Sequence, residues 1–319
     1  MKKMLFLALA TIVLMACGGK KNQPTDNTPS EGQLPGIFHV TGSKKICFSQ
    51  GNLQYCPATK VWRFAPRQYG VVGGKGDGNI AHPTKDGEKS DNCLISQNYD
   101  GWIDLFGHGT SGWPSGAEAY QPWTDDDNYE HYIPLSVREN TDLDEYNLVD
   151  IWANADWGVY NKISNGGNQA GLWRSLTRDE WRWITEERPN YENLIGKATI
   201  NGACGMVLLP DDWQKPADVE FEAGYGQDWD TNEYNYDEWL KLEKAGAVFL
   251  PCAGCRSKGW AGNEIERLNS AGYYWTSSST LTGGKTCAFD LYFNSWIHEM
   301  YTYDLRSNGE SVRLVREIQ

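Results

Sequence analysis

A stretch near the C-terminus alternates between apolar and polar residues with a period of two. Apolar Phe289, Leu291 and Phe293 alternate with polar Asp290, Tyr292 and Asn294. Because successive side chains of a β-strand point to opposite faces, this pattern predicts a strand with one apolar face and one polar face. A strand of this kind belongs to a sheet that packs one face against a core.

Other strand-like segments lie towards both ends of the chain. They are 36–40, 45–48, 53–55, 61–64, 248–250, 273–277, 288–293 and 311–315. Between them, the stretch 69–168 is rich in Gly, Asp, Asn and Trp and shows few periodic elements. Stretches so poor in regular structure are usually functional or held by aromatic packing.

Two short helices are predicted from their capping boxes. Thr177 and Glu180 have the spacing for reciprocal capping, and the helix that follows must end before Pro189. Asn235 starts a second helix, which ends near Gly246. Two helices among mainly antiparallel strands and long irregular loops predict an α+β fold, which we assign to a single domain over 36–319.

The N-terminus carries the features of a secreted lipoprotein. Lys2 and Lys3 precede an uncharged, largely apolar run, which predicts a signal peptide over 1–16. The sequence Leu-Met-Ala-Cys ending at Cys17 resembles a bacterial lipobox, which predicts lipidation of Cys17; an ordinary secreted protein with a stray cysteine is the alternative. Residues 17–35 have almost nothing apolar to bury and predict a flexible tether. Gly18 favours the outer membrane, with the domain facing either the periplasm or the outside.

The charge of the chain argues against anionic partners. Loss of Lys2 and Lys3 with the signal peptide takes the formal net charge from −13 to −15. A field of this sign repels phosphate backbones and anionic lipid heads, and no Lys/Arg-rich run offers a local exception. We therefore expect no nucleic-acid partner, and contact with the membrane through the N-terminal lipid only.

Aromatic residues are unusually abundant, with 15 Trp and 17 Tyr. Many of them sit beside Gly, Asn or Asp in loop-like sequence. Such rings either fill a core made largely of irregular structure or stack on flat ligands such as sugars, and the core interpretation is favoured.

Of the eight cysteines, seven remain after lipidation of Cys17. If Gly51 and Asn52 form a two-residue hairpin loop, Cys47 faces Cys56 at a non-hydrogen-bonded position, which predicts a disulfide. Cys252 and Cys255 form a CxxC motif, but no helix begins after it to activate a thiol. A local disulfide or buried thiols are the favoured interpretations of that motif.

No catalytic or metal-binding arrangement is evident. The five histidines have no metal-site spacing, and no Ser-His-Asp arrangement can be argued. The acidic run 125–127 offers oxygen donors for calcium but lacks the spacing of an EF-hand loop, so a solvated loop is favoured. We predict no catalytic residue, no metal and no cofactor.

A series of motifs along the chain resembles a group of bacterial lipoproteins. The motifs are 102–107 (WIDLFG), 109–112 (GTSG), 164–168 (SNGGN), 172–174 (LWR), 176–181 (LTRDEW), 208–213 (LLPDDW), 247–251 (AVFLP), 273–277 (YYWTS) and 311–315 (SVRLV). In this order they resemble the major paralogous domain family and, more distantly, formylglycine-generating-enzyme-like domains. The resemblance implies a C-type-lectin-like fold.

The resemblance leaves three classes of function open. Oxidases of the formylglycine-generating type hold copper with two nearby cysteines, whereas Cys287 stands alone, so we expect no enzyme. C-type-lectin-like domains also serve as binding scaffolds, and some are variable proteins of diversity-generating retroelements, with diversified residues in a segment like 275–308. A structural or assembly role in the envelope is the third class.

The binding class implies a surface near the C-terminus for an unknown protein or glycan. Its candidate residues are Trp275, Asp290, Tyr292, Asn294, Trp296, His298, Tyr301, Tyr303 and Arg306. Tyr, Trp, Arg and Asn side chains suit rigid stacking combined with adaptable hydrogen bonding.

Overall fold

The computed structural model describes residues 31–40, 44–72, 100–113, 147–224, 226, 228–256, 265–282, 285–300, 302–306 and 308–318. The signal peptide, the lipidation site Cys17, most of the tether, the acidic run 125–127 and the candidate Tyr301 lie outside these residues. In the part of the chain that the structure describes, no helix is long and apolar enough to cross a membrane.

Fifteen strands are present among these residues. They are β1 (Phe38–Val40), β2 (Lys44–Phe48), β3 (Leu53–Cys56), β4 (Val61–Phe64), β5 (Ile195–Ile200), β6 (Ala203–Leu208), β7 (Glu233–Tyr234), β8 (Val248–Pro251), β9 (Cys255–Arg256), β10 (Ile265–Glu266), β11 (Ala271–Thr282), β12 (Lys285–Asn294), β13 (His298–Glu299), β14 (Tyr303–Leu305) and β15 (Val315–Ile318). The predicted strands are confirmed except for 311–315, where regular pairing begins only at Val315.

The strands form several small sheets that are mostly antiparallel. Their orders are β1-β2-β15, β3-β4, β7-β5-β6-β8, β9-β10 and β11-β12-β13, with β14 also paired to β12. Only the β5–β7 pair is parallel among these ladders. Few short helices accompany the strands, so the α+β class is confirmed.

Both predicted helices form, and each begins at its predicted capping box. Thr177 caps α2 (Arg178–Arg182), which continues as a π-helical turn, Trp183–Glu187. Asn235 caps α3 (Tyr236–Lys244). A helix that was not predicted, α1 (Trp157–Tyr160), follows a 3-10 helix over Asp150–Ala155. A second 3-10 helix lies at Tyr191–Asn193.

The predicted hairpin between Cys47 and Cys56 is wrong. β2 pairs with β1 and β15, and Cys47 lies opposite Arg316, whereas Cys56 lies on β3 opposite Val61 of β4. Because the two cysteines belong to different sheets, the register that placed them face to face does not exist. Both are free thiols, so the predicted disulfide between them is not formed.

Aromatic side chains fill the core, as the sequence favoured. The largest side chains that are fully buried include Trp157, Trp173, Trp181, Trp239 and Trp275. Many of these rings meet edge-to-face or tilted, for example Phe64 and Trp173 with centroids 4.8 Å apart. Such contacts add to the stability gained from burying apolar area.

A buried arginine of the 311–315 motif ties three parts of the chain together. Arg313 is almost fully buried and donates to the backbone oxygens of Ser49 and Phe249 at 3.0 and 2.6 Å. Its Nε donates to Asn52 Oδ1 at 3.1 Å. The segment before β15 is therefore held to the ends of β2 and β3 and to β8.

Candidate functional site

The long β11–β12 hairpin carries four of the nine predicted ligand-binding residues. The predicted alternation is partly correct, since Leu291 and Phe293 are buried while Tyr292 and Asn294 on the other face are half-buried. Asp290 breaks the pattern because it is only 2 % exposed. The polar face of β12 is thus partly exposed to solvent at Tyr292 and Asn294 and buried at Asp290.

Three of the predicted ligand-binding residues lie in the core. Trp275, Asp290 and Arg306 are each at most 2 % exposed. Trp275 and Asp290 are direct cross-strand partners in the β11–β12 ladder, so these two buried residues lie side by side. Their assignment to an exposed recognition surface is wrong, because no ligand atom can reach them without opening the core.

Trp275 and Arg306 instead hold a buried histidine. Arg306 Nε donates to His108 Nδ1 at 3.1 Å, and His108 Nε2 lies 3.0 Å from the Thr276 carbonyl oxygen. These contacts require the neutral tautomer protonated on Nε2. Burial, and then the charge of Arg306, hold the pKa of His108 well below its usual range. Trp275 packs edge-to-face on this ring and donates from Nε1 to the Phe106 carbonyl oxygen at 2.7 Å.

The open end of the hairpin displays one large aromatic side chain. Trp296 is 83 % exposed in the turn between β12 and β13. Asn294 fixes this turn, because its Oδ1 accepts from the backbone N–H groups of Trp296 and Ile297 at 2.7 and 3.0 Å. An asparagine whose side chain accepts hydrogen bonds from nearby backbone N–H groups in this way orders a loop. The indole is therefore exposed on a backbone that is held in place.

A group of hydrogen-bonded side chains holds Asn294 in place. Tyr273 and Tyr292 are cross-strand partners with ring centroids 4.9 Å apart. Arg267 Nη1 donates to both hydroxyl oxygens at 3.0 Å, and Asn294 Nδ2 donates to the Tyr292 hydroxyl at 2.6 Å. The turn is thus linked through Tyr292 to a side chain outside the hairpin. Sequence reasoning missed Arg267, which no pattern connects with the strand.

A lysine from another sheet holds the turn from its side. Lys197 Nζ donates to the Ser295 carbonyl oxygen at 2.6 Å and lies 5.7 Å from the centroid of the Trp229 ring. Burial, followed by the charge of Lys197, lowers the pKa of His298 to about 4. His298 is therefore neutral at physiological pH. Lys197 could not be predicted to contact this turn, because it lies on β5, far from the hairpin in the sequence.

We name Tyr292, Asn294, Trp296, Ile297 and His298 the Trp296 surface. Tyr303 is exposed but does not belong to it. Tyr303 lies opposite Phe289 on β12, and the five residue steps from Phe289 to Asn294 extend over roughly 17 Å of strand. The structure therefore brings together only part of the predicted binding set.

A separate cavity of about 400 Å³ lies beside the edge strand β7. It is lined by Asp218, Val219, Glu220, Phe221, Glu222, Thr231, Asn232, Glu233, Tyr234 and Glu238. Two of these carboxylates form ion pairs, Asp218 with Lys241 and Glu220 with Lys215. The excess of carboxylates disfavours an anionic guest. None of these residues was among the predicted site residues.

The described cysteines lack the features of a metal site or of an activated redox thiol. Across the described ranges, no group of three or more His, Cys, Asp or Glu side chains is arranged to hold a metal ion. In the CxxC motif, burial raises the pKa of Cys255 to about 12 and that of Cys252 well above its usual value. Both thiols are therefore protonated at neutral pH, unlike the activated cysteine of a redox motif.

No protein-family model matches this chain, and neither a curated protein nor a solved structure matches it significantly. Membership of the major paralogous domain family therefore stays a prediction.

Proposed function

We propose that this protein is a non-enzymatic, lipid-anchored protein of the cell envelope that binds a protein or glycan ligand through the Trp296 surface. One observation carries the proposal, namely an indole that is 83 % exposed on a turn fixed by Asn294. A folded chain gains nothing in stability from an exposed indole, whereas covering one with a partner removes about 150–250 Å² from water. Tryptophans that become buried in this way are frequent energetic centres of interfaces.

The rigidity of the turn adds to this argument. Binding orders side chains and loops, and that ordering costs about 0.5–1.5 kcal/mol for each immobilised rotamer-rich side chain. Here Asn294, Lys197 and Tyr292 already order the backbone beneath the indole. A ligand would therefore meet a preorganised surface, which is the property expected of a binding scaffold.

The fold and the relationship to variable proteins are proposals of the same kind. We assign the domain to the C-type-lectin-like fold because of its ordered motifs and because exposed residues lie in the turn between the paired strands β12 and β13 near its C-terminus. Genomic context tests the link to diversity-generating retroelements. A neighbouring reverse transcriptase with a template repeat that differs from the 273–316 coding segment only at adenines would support it. Their absence would leave a non-diversified relative.

The location in the outer membrane rests on lipidation of Cys17 and on Gly18 behind it. Mass spectrometry of the N-terminal peptide of the mature protein tests the lipidation directly. We expect an acylated Cys17, and we expect Cys17→Ala to shift the protein from the membrane fraction to the soluble fraction. An unmodified Cys17 in the mature chain would contradict lipidation without touching the binding proposal.

The binding proposal is tested with a glycan array and with a pull-down of envelope proteins by the purified domain. For a ligand found in this way, Trp296→Ala should weaken binding by at least roughly 30-fold, as expected for an interface centre. Ile151→Ala is the matched control, since Ile151 is 76 % exposed and lies on the distant 3-10 helix.

Unchanged binding by Trp296→Ala would reject the Trp296 surface as the site. Equal losses in both variants would point to general apolar adhesion instead. If the domain binds no ligand but self-associates through Trp296, the structural or assembly class becomes the better assignment.

A further inference from the structure

Two cysteines from distant parts of the sequence oppose each other across β6 and the end of β8. Gly205 on β6 lies opposite Pro251 on β8 in an antiparallel register, so the next step places Cys204 opposite Cys252. The backbone N–H of Cys252 donates to the Cys204 carbonyl oxygen at 2.8 Å. Directly opposed residues of an antiparallel pair point their side chains to the same face.

Asn269 holds the two cysteine backbones together. Its N–H donates to the Cys252 carbonyl oxygen at 2.8 Å, and its Oδ1 accepts from the Cys204 N–H at 2.7 Å. Its Nδ2 also donates to the Gly202 carbonyl oxygen at 3.1 Å. One residue, through its backbone and its side chain, thus ties the two cysteine backbones together.

This spacing matches the geometry of a disulfide. Residues of a hydrogen-bonded antiparallel pair have Cα atoms about 5.5 Å apart, and disulfides most often join Cα atoms about 5.5–6 Å apart. Cys252 belongs to a buried apolar cluster, and Cys204 packs against that same cluster. Apart from burial, the largest influence that raises the pKa of Cys252 is the charge of Cys204.

The other cysteine of the CxxC motif has different neighbours. After burial, the groups that most affect Cys255 are Asp304 and Glu266. Cys255 lies on β9, opposite Glu266 of β10. Cys252 and Cys255 therefore lie in different surroundings. The residue opposite Cys252 is Cys204, whereas the residue opposite Cys255 is Glu266.

We infer that Cys204 and Cys252 form a cross-strand disulfide when the chain folds in an oxidising envelope compartment. The location rests on the signal peptide, and the inference is independent of any ligand at the Trp296 surface. The oxidant is a disulfide of a thiol–disulfide oxidoreductase or of a small thiol. In the structure both are free thiols, of which Cys204 is only partly buried and accessible, whereas Cys252 is buried.

The exchange then proceeds in two balanced steps. The deprotonated sulfur of Cys204 attacks one sulfur of the oxidant and releases the other as a thiolate. The sulfur of Cys252, after losing its proton, attacks the Cys204 sulfur of this mixed disulfide and displaces the second oxidant thiolate. The two cysteines lose two electrons and two protons, and the oxidant is reduced to two thiols.

Peptide mapping of the full-length protein, purified from the envelope of the producing cell, tests the inference. Free thiols are blocked with N-ethylmaleimide in denaturant, and the chain is digested with trypsin without reduction. We expect the peptide that contains Cys204 to be joined to the peptide that contains Cys252. Because no Lys or Arg separates Cys252 from Cys255, both lie in the same tryptic peptide.

Cys255→Ser is therefore the matched control. The link should persist in Cys255→Ser and disappear in Cys204→Ser and Cys252→Ser. A reductant should lower the Tm of the wild-type protein by on the order of 5–10 °C and leave the Tm of Cys204→Ser unchanged. Complete labelling of Cys204 in the envelope-derived protein, or a link between Cys252 and Cys255, would overturn the inference.

Discussion

The stability of this domain should fall as the pH rises through neutrality, because Asp290 is a buried carboxyl group whose largest charge interaction is repulsion by Asp304. Its Oδ1 has no hydrogen-bond partner among the described residues. Burial, and then repulsion by Asp304, raise its pKa from 3.8 to about 7, while a hydrogen bond from the Thr302 side chain acts in the opposite direction. The neutral carboxyl group is thus the form that the fold accommodates.

The direction of the pH dependence follows from this raised pKa. The unfolded chain titrates near 3.8 and the folded chain near 7, so the stabilising contribution is complete below pH 3.8 and is lost as the pH rises through 7. Each pH unit between the two values costs 1.36 kcal/mol per group, which gives about 4 kcal/mol for Asp290 between pH 4 and 8.

A second buried carboxyl group acts in the same direction. Glu310 is fully buried, and within the described part of the chain neither of its carboxylate oxygens has a hydrogen-bond partner. Burial, followed by the charges of Asp290 and Asp304, raises its pKa well above the usual value. The loss of stability at high pH should therefore exceed that due to Asp290 alone.

Asp290→Asn isolates the contribution of one carboxyl group. Urea unfolding is measured at pH 4.5, 6, 7 and 8, and the free energy of unfolding of the variant is compared with that of the wild type. Across this pH range, the free energy of unfolding of the variant should rise relative to that of the wild type by about 3–4 kcal/mol, because its amide never ionises. Asp230→Asn, at an exposed position, is the control and should show no such gain. Parallel curves for Asp290→Asn and wild type would refute a buried, protonated Asp290.

Two further predictions concern Arg313 and Asn294. Arg313→Met should destabilise the domain by about 3–5 kcal/mol in urea unfolding, since it leaves the acceptors at Ser49 and Phe249 buried and unpaired; a loss below about 1 kcal/mol would show that these contacts are dispensable. Asn294→Ala should speed hydrogen exchange at the Trp296 amide and weaken ligand binding about tenfold, for a loss of about 1.4 kcal/mol of preorganisation. Unchanged exchange at Trp296 would show that another group orders the turn.

Local signals in the sequence were sufficient for the two capped helices and for about half of the strands, whereas β5, β6, β7, β9, β10, β13 and β14 were not predicted. The capping boxes at Thr177 and Asn235 involve residues three positions apart, and both helices begin where these boxes predict. The alternation in 289–294 likewise identified a strand and its apolar side. Such patterns depend on neighbours in the chain, so one sequence contains all the information that they need.

Pairing between distant segments could not be predicted in this way. Cys47 lies opposite Arg316, 269 residues away, and nothing in the local sequence of β2 distinguishes that partner from β3. The same limit applies to Lys197 and Arg267, which reach the Trp296 surface from outside the hairpin.

The errors within the binding site have a different physical cause. Period-two alternation distinguishes the two faces of β12 but does not show how far each face is covered. Trp275 and Asp290 lie in the part of the hairpin where both faces of the sheet are covered by other segments. Trp296 lies beyond the end of the β11–β12 ladder. A polar residue in an alternating strand is therefore a weak predictor of exposure.

The β1-β2-β15 sheet has a consequence for the order of folding. Its central strand, β2, begins at Lys44 and is paired on one side by residues as late as Ile318. Contacts of such large sequence separation form slowly, because a long loop must close before they stabilise anything. The sheet stays incomplete, with one edge of β2 unpaired, until almost the whole chain is free to fold. A chain truncated before Val315 should accordingly remain a substrate for chaperones and proteases.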